Sequence, residues 1–435
     1  MQKIFFLHLK RIRPLNSYLL IPKCSHLVGT ASKLSSSKSI SNRAQILKAL
    51  SGNQSVVSNL SDARDTQLMK AALENAEKII DVKDAGTTMR FLTAYFALTG
   101  KNKLLTGTAR MKERPIGLLV DALRKLGATI DYIENEGFPP IEIKGFGEQL
   151  TNQIEIPGNI SSQYISALMM TAPKLPQGLT ISLSGKVGSV PYILMTAALM
   201  KEFGVECKAD WIANRIEIPH QSYSPTRYTV EADWSSASYW FGFTALAKEA
   251  EITLPNISEK SLQGDRVIVE IMDKLGVLTT FKDGSMQLSK KEAVKNLAWD
   301  FKDCPDLAQT VFPVCAAKGI SGEFTGLESL RIKETDRITA LQNELAKIGA
   351  KLTEPTLGSW RLEVRGWRLD RVSSFQLPTS SIEINTYHDH RMAMGFAPWA
   401  TLMDLKIEAP EVVNKSYPGF WEDMKSVGFN LSSPV

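Results

Sequence analysis

Apolar positions along the chain fall into two alternating patterns. Segments with apolar residues three and four apart, such as VDALRKLG at Val120–Gly127, predict amphipathic helices, and the β-branched runs that follow predict short strands. The same order recurs in ALMKEFG ending at Gly204, IMDKLG at Gly276, NELAKIG at Gly349 and DMKSVG at Gly428. The closing glycine suits a left-handed helix C-cap and returns roughly every 75 residues, which points to a repeat of several elements rather than a solenoid. A second set of helix-to-strand junctions interleaves at Gly52, Gly100, Gly178 and Gly319. Two helices and several short strands per unit, in about six units, predict a pseudo-symmetric α/β protein. The plainer reading is that such punctuation occurs in any α/β chain.

Two polar, proline-marked breaks stand out, at 219–227 and 296–305. The first is the better candidate for a crossing between domains, because a new strand-plus-helix pattern (TVEADWSSASYWFGFTAL) starts at Thr229. With 435 residues, 43% hydrophobic and 22% charged, two or three domains with real cores are expected, and disordered, collagen-like and coiled-coil classes are excluded. Lys plus Arg exceed Asp plus Glu by only 51 to 46. The longest basic run, His8–Arg13, is short for a nucleic-acid stripe, and the mild positive charge fits a small acidic substrate at least as well. Four scattered cysteines predict free thiols in a reducing cytosol. The opening apolar run is too short for a secretory signal, and no stretch is long enough to span a bilayer, so a cytoplasmic location is expected.

Candidate chemistry clusters where helices begin. Lys38, Ser39 and Arg43 lie in a polar segment, 35–44, expected to open a helix over Gln45–Leu50; backbone N–H groups there suit an anion. Gly86 and Arg90 repeat that logic before the apolar helix Phe91–Leu98. Arg114 precedes a proline suited to starting a helix, while Ser161, Ser162, Gln163, Ser189 and Tyr192 head two more apolar helices. In the second half acids join the bases: Asp303 and Asp306 precede a helix, one of them as its expected cap. If Arg331–Arg337 is helical, Lys333 and Arg337 share a face with Glu334 beside Arg337. His388-Asp389-His390 invites a metal reading, which the neighbouring Arg391 opposes; Lys415 sits at a last strand-to-helix turn. The recurrence points to a site between two domains that binds two anionic groups.

Lys38-Ser39 with Asn42-Arg43, Ala85-Gly86-Thr87 with Met89-Arg90, Arg114-Pro115-Ile116-Gly117, Ser161-Ser162-Gln163, Lys333-Glu334-Thr335-Asp336-Arg337 and Asp389-His390-Arg391-Met392-Ala393 together resemble the 5-enolpyruvylshikimate-3-phosphate synthase family, from about Gly29 to Phe420. The resemblance implies an inside-out α/β barrel of two similar domains, each a pseudo-threefold assembly of βαβαββ units, with the active site in the cleft between them. The expected domains are 35–229 and 1–34 plus 230–435. It implies transfer of the enolpyruvyl group of phosphoenolpyruvate to the 5-hydroxyl of shikimate 3-phosphate, without cofactor or metal, by a monomer. Shikimate 3-phosphate would meet Lys38, Ser39, Arg43, Ser161, Ser162, Gln163, Ser189, Tyr192, Asp306, Ser329 and Lys333. Phosphoenolpyruvate would meet Lys38, Gly86, Arg90, Arg114, Gln163, Arg337, Arg391 and Lys415. By the same resemblance Asp306 is the general base, Glu334 the proton donor to the methylene carbon, and Lys38 stabilises the departing phosphate.

Several positions depart from the family pattern. Ser35-Ser36 replaces Pro-Gly ahead of Lys38, Asp84 replaces Asn, Ser329 replaces Asn and Phe91 a common Pro. The interval from Asp65 to Asp84 is short enough to imply that one unit lacks a hairpin. Two facing basic surfaces are expected to repel until anionic ligands bridge them. The alternatives are the sister transferase acting on UDP-N-acetylglucosamine, whose usual loop cysteine has no counterpart at 111–117, and a non-catalytic anion binder.

Overall fold

The computed structural model describes residues 17–52, 54–159, 161–364 and 381–431; the basic run His8–Arg13 and the opening apolar segment lie outside them. Several helices are apolar on every side and are therefore interior. In Gly86–Leu98 every residue but Thr87 is buried, in Ser162–Thr171 every residue but Gln163, and in Trp234–Leu246 every residue but Ser235. Lys38–Leu50, Gly86–Leu98 and Ser162–Thr171 pack together in the first half; Trp234–Leu246, Ala308–Lys318 and His390–Phe396 do so in the second.

Sheets surround these helices. In the first half, Ile79–Asp81, Lys103–Thr106, Ile141–Phe146 and Ala128–Tyr132 lie side by side in that order, as do Gln153–Pro157, Leu179–Ser184, Arg215–Ile218 and Lys208–Asp210. Each sheet starts with a parallel pair joined through a buried helix and ends in an antiparallel hairpin. Asn296–Asp300, Ser321–Thr325, Ser359–Val364 and Ala350–Thr356 repeat this in the second half. His26–Thr30 runs parallel to Glu249–Pro255, and Tyr18–Ile21 antiparallel to Leu405–Glu408, so the start of the chain completes two sheets of the second half. The hydrophobic core of the first half draws on residues from Ile40 to Val230; that of the second draws on Leu19 to Ala31 and Ala232 to Phe429.

The expected missing hairpin is real. Among the described residues Val56–Ser58 pairs only with Arg227–Thr229, in a two-stranded parallel sheet, and helix Arg64–Glu74 leads straight to Ile79–Asp81. All nine junction glycines have positive φ, and Gly127 (φ 117°) and Gly319 (φ 70°) are left-handed helix caps. Two expectations need correction. The helix placed at Gln45 begins at Lys38, because the Ser37 side chain caps it by accepting from the Ile40 N–H. The break at 296–305 contains a strand, Asn296–Asp300, whose Leu297 is buried in the second core.

Candidate active site

Most candidate residues stand at the starts of buried helices: Lys38, Gly86 and Ser162 open theirs, Asp306 lies in the 3-10 turn just before Ala308, and Arg391 is the second residue of the helix from His390. The dipoles of these helix starts, and the N–H groups that their caps leave free, favour anions before any side chain is counted. The turn ahead of Lys38 is well braced without Pro-Gly. Ser35 donates to Asp62 (2.9 Å), Ser37 N–H to the Glu231 carbonyl (2.8 Å) and Lys38 N–H to Asp233 (3.2 Å).

On the first-half face three arginines are buried against neutral groups. Arg43 donates to Thr196 (2.7 Å), Ser166 (3.0 Å) and the Ser39 carbonyl (2.9 Å), with Tyr192 and Phe91 rings flanking it. Arg90 reaches the carbonyls of Gly86 (3.0 Å) and Pro115 (3.2 Å), and Arg114 that of Asp84 (3.4 Å). Burial pushes Arg43 and Arg90 down to about 10, and Arg114 nearby adds to the shift at Arg90. Buried charges normally find a counter-charge; these three form no direct ion pair among the described residues. Gly86 is what lets Arg90 and Arg114 close in, since a Cβ there would lie 2.6–2.8 Å from their guanidinium nitrogens. Gln163 donates to Thr87 (3.0 Å), Ser161 caps its helix by accepting from Gln163 N–H, and Ser189 stands at the N-cap position of the next in a left-handed conformation (φ 54°), with no side-chain hydrogen bond to it. Ser39 and Tyr192 line a small cavity with Asp233, Ser235 and Asp265.

The second-half face is a dense ionic network. Arg337, almost fully buried, bridges Asp389 (2.7 Å), Asp306 (2.8 Å) and Glu334 (2.8 Å). Asp306 also meets Arg391 (3.0 Å) and Lys333 (3.3 Å); Lys415 meets Glu334 (3.3 Å) and, across the cleft, Asp84 (2.8 Å). Burial alone would raise the Asp306 carboxyl, but Arg391, Lys333 and Arg337 hold it far below the usual range. Glu334 is likewise held low against burial by Lys415, Arg337 and Arg114. Burial drives His390 well below 6.5, with Lys38 and Arg391 acting in the same direction.

Residues 70–424 match the model of the family described as EPSP synthase (3-phosphoshikimate 1-carboxyvinyltransferase). The chain belongs to the EPSP synthase family. A 3-phosphoshikimate 1-carboxyvinyltransferase of Bacteroides fragilis is 46% identical over 403 residues, covering 92% of this chain and 95% of the relative. One of Methanospirillum hungatei is 35% identical over 423 residues, covering 91% and 95%. The EPSP synthase structure from Acinetobacter baumannii shares the fold with a TM-score of 0.73 at 20% identity, covering 96% of this chain and all of that one.

The sequence reading of this family member needs four local corrections. Arg331–Arg337 is not one helix: a 3-10 turn spans Glu328–Ile332 and an α-helix starts at Arg337, because Asp336 caps it by accepting from Ile338 and Thr339 N–H. Lys333 and Arg337 still meet, through Asp306 rather than along a helix face. Neither Asp303 nor Asp306 caps the helix that follows; Asp303 accepts from Val190 N–H (3.2 Å) of the other half. Pro115 does not start a helix, which begins at Gly117. The facing surfaces are not both basic, since Asp84 confronts Lys415. Ser329 joins the site only through its turn, which packs on 305–307. Among the described residues no group of three or more His, Cys, Asp or Glu could hold a metal ion. No described helix is long and apolar enough to cross a membrane, and all four cysteines are free.

Sequence reasoning missed Asp65, which pairs with Lys38 (3.3 Å), and Asp389, which is both helix cap and Arg337 partner. It also missed Arg110 and Asp265. Asp265 is completely buried, pushed up to about 6 mainly by that burial, and accepts a hydrogen bond from Ser235, whose oxygen accepts from Arg391 (3.3 Å).

Proposed function

We infer that this chain transfers the enolpyruvyl group of phosphoenolpyruvate to the 5-hydroxyl of shikimate 3-phosphate, releasing phosphate. The supporting observation is the pairing of opposite faces: buried cations without direct carboxylate partners at Arg43, Arg90 and Arg114, against carboxylates ringed by cations at Asp306 and Glu334. Two anions and one proton donor–acceptor pair are what this reaction requires.

In the proposed arrangement shikimate 3-phosphate is held by Lys38, Ser39, Arg43, Ser161, Ser162, Gln163, Ser189 and Tyr192, with Asp306, Ser329 and Lys333 from the second half. Phosphoenolpyruvate is held by Lys38, Gly86, Arg90, Arg114, Gln163, Arg337, Arg391 and Lys415. Asp306, kept ionised by its three cations, accepts the 5-hydroxyl proton as the oxygen attacks C2. Glu334 gives a proton to C3 in the same addition. Elimination returns the C3 proton to Glu334, breaks the C2–O bond to phosphate and passes the hydroxyl proton from Asp306 to the leaving group, which Lys38 steadies. Glu334 starts as a poor acid because Lys415, Arg337 and Arg114 favour its charged form. Two bound anions divert those cations and raise its pKa, so its acidity is made in the ternary complex.

The accompanying proposals are domains over 35–229 and over 1–34 plus 230–435, a monomer acting in the cytoplasm, and no nucleic-acid or membrane partner. The test is phosphate release from phosphoenolpyruvate with shikimate 3-phosphate, beside UDP-N-acetylglucosamine and a Glu334→Gln variant. Release with shikimate 3-phosphate alone, lost in the variant, is expected. Binding of shikimate 3-phosphate without release would reduce the protein to an anion binder.

A further inference from the structure

The loop that carries Glu334 is gripped from both halves. Its side chains are held within the second half: Lys333 on Asp306, Glu334 on Arg337 and Lys415. Its backbone is held from the first half by Arg110, on the four-residue helix Ala109–Lys112. Arg110 Nε donates to the Glu334 carbonyl (3.3 Å) and Nη2 to that of Lys333 (3.2 Å). The remaining Nη1 is anchored on Glu113 (3.0 Å), so the guanidinium is aimed before it meets the loop. Lys333–Thr335 lies between the 3-10 turn Glu328–Ile332 and the helix from Arg337, in no regular element.

We propose that Arg110 is a positioning residue that couples closure of the two halves to placement of the proton donor. Two donors on one rigid fork fix both the position and the orientation of the Lys333–Glu334 backbone, which a single contact would not do. The two bonds exist only when the halves meet, so separating the halves releases the loop. Across the halves Arg110 meets backbone carbonyls alone; without it Lys333 and Glu334 keep their side-chain ties to Asp306, Arg337 and Lys415 and lose only the fixed placement of their backbone. The inference rests on the reading of Glu334 as proton donor.

The test uses the full chain with Arg110→Ala and Arg110→Lys. Misplacing a reacting group by about 1 Å costs up to about a hundredfold, so Arg110→Ala is expected to lower kcat at least about tenfold while the KM for shikimate 3-phosphate changes less than about threefold. Lys, with one charge but no fork, recovers only part of the rate. Hydrogen exchange over 333–335 with saturating shikimate 3-phosphate is expected to quicken in Arg110→Ala. A kcat within twofold of the parent, or a loss confined to KM, overturns the proposal. If the parent itself releases no phosphate, the functional reading fails, and the exchange measurement still judges the contact: unchanged exchange overturns it. Should Arg110→Ala not fold, the kcat and exchange of Arg110→Lys decide by the same criteria.

Discussion

Gly86→Ala separates binding from folding more cleanly than any other substitution in the site. Gly86 opens a helix without a positive φ, so alanine is conformationally acceptable there and should add about 0.5–1 kcal/mol of helix stability. Its Cβ, however, would stand 2.6 Å from one Arg114 nitrogen and 2.8 Å from both the other and Arg90 Nη1, where ordinary contact starts at 3.4 Å. Both guanidinium groups must therefore retreat by up to about 0.8 Å. For unit charges about 4 Å apart at an effective dielectric near 20, that retreat weakens each attraction to a bound anion by about 0.7 kcal/mol, or about 1.4 kcal/mol together. The KM for phosphoenolpyruvate should rise about tenfold, with the KM for shikimate 3-phosphate little changed and the melting temperature not lowered. Phosphate release measured against phosphoenolpyruvate at saturating shikimate 3-phosphate reads this directly. An unchanged KM, or a loss of stability, would show that the two arginines do not approach the anion through the space Gly86 leaves.

Asp84→Asn removes a carboxylate shared by Lys415 (2.8 Å) and Arg64 (2.6 Å), leaving Lys415 with Glu334 (3.3 Å) and more of its charge for an anionic ligand. The KM for phosphoenolpyruvate should fall by about threefold, and a rise in the same assay counts against the assignment. Arg337→Lys replaces a fork serving three carboxylates with one ammonium group; a loss of about 3 kcal/mol in denaturant unfolding is expected together with lost turnover. His390 stays neutral in the fold because its pKa lies well below 6.5, so its stabilising contribution is full above pH 6.5 and drains as pH falls through the range below. Asp265, raised to about 6, acts oppositely: its contribution is full below 3.8 and lost as pH rises through about 6. The difference in unfolding free energy between the parent and His390→Gln, followed from pH 7.5 to 5, should therefore shrink toward acid; a pH-independent difference contradicts a neutral buried imidazole.

Repeating glycines and all-round apolar helices made the architecture readable, because helix caps and burial are local matters of φ and hydrophobicity. The short interval before Asp84 even revealed the missing hairpin. Partnerships were harder to read. Lys333 and Arg337 look like a helical i,i+4 pair, yet Asp336 starts the helix after Lys333 and Asp306 unites them from another element. Arg110 gives no signal because its partners are carbonyls more than two hundred residues away, and any residue supplies a carbonyl. Asp84 was visible as a change of charge, but only the structure brings Lys415 against it.

The way the sheets are stitched also sets an order of assembly. Tyr18–Ile21 and His26–Thr30 precede both cores in the chain but find their neighbours only at Leu405–Glu408 and Glu249–Thr253. Residues between them, including the strand Val56–Ser58 that waits for Arg227–Thr229, can collapse into the first core while those leading strands remain without a sheet. On a ribosome Tyr18–Ile21 and His26–Thr30 therefore wait for partners made much later, and the second half closes only after its last parallel pair, Ile382–Ile384 with Leu405–Ile407, has emerged. Long-range pairing of this kind makes folding slow, and it leaves these two strands as edges a chaperone would meet for long.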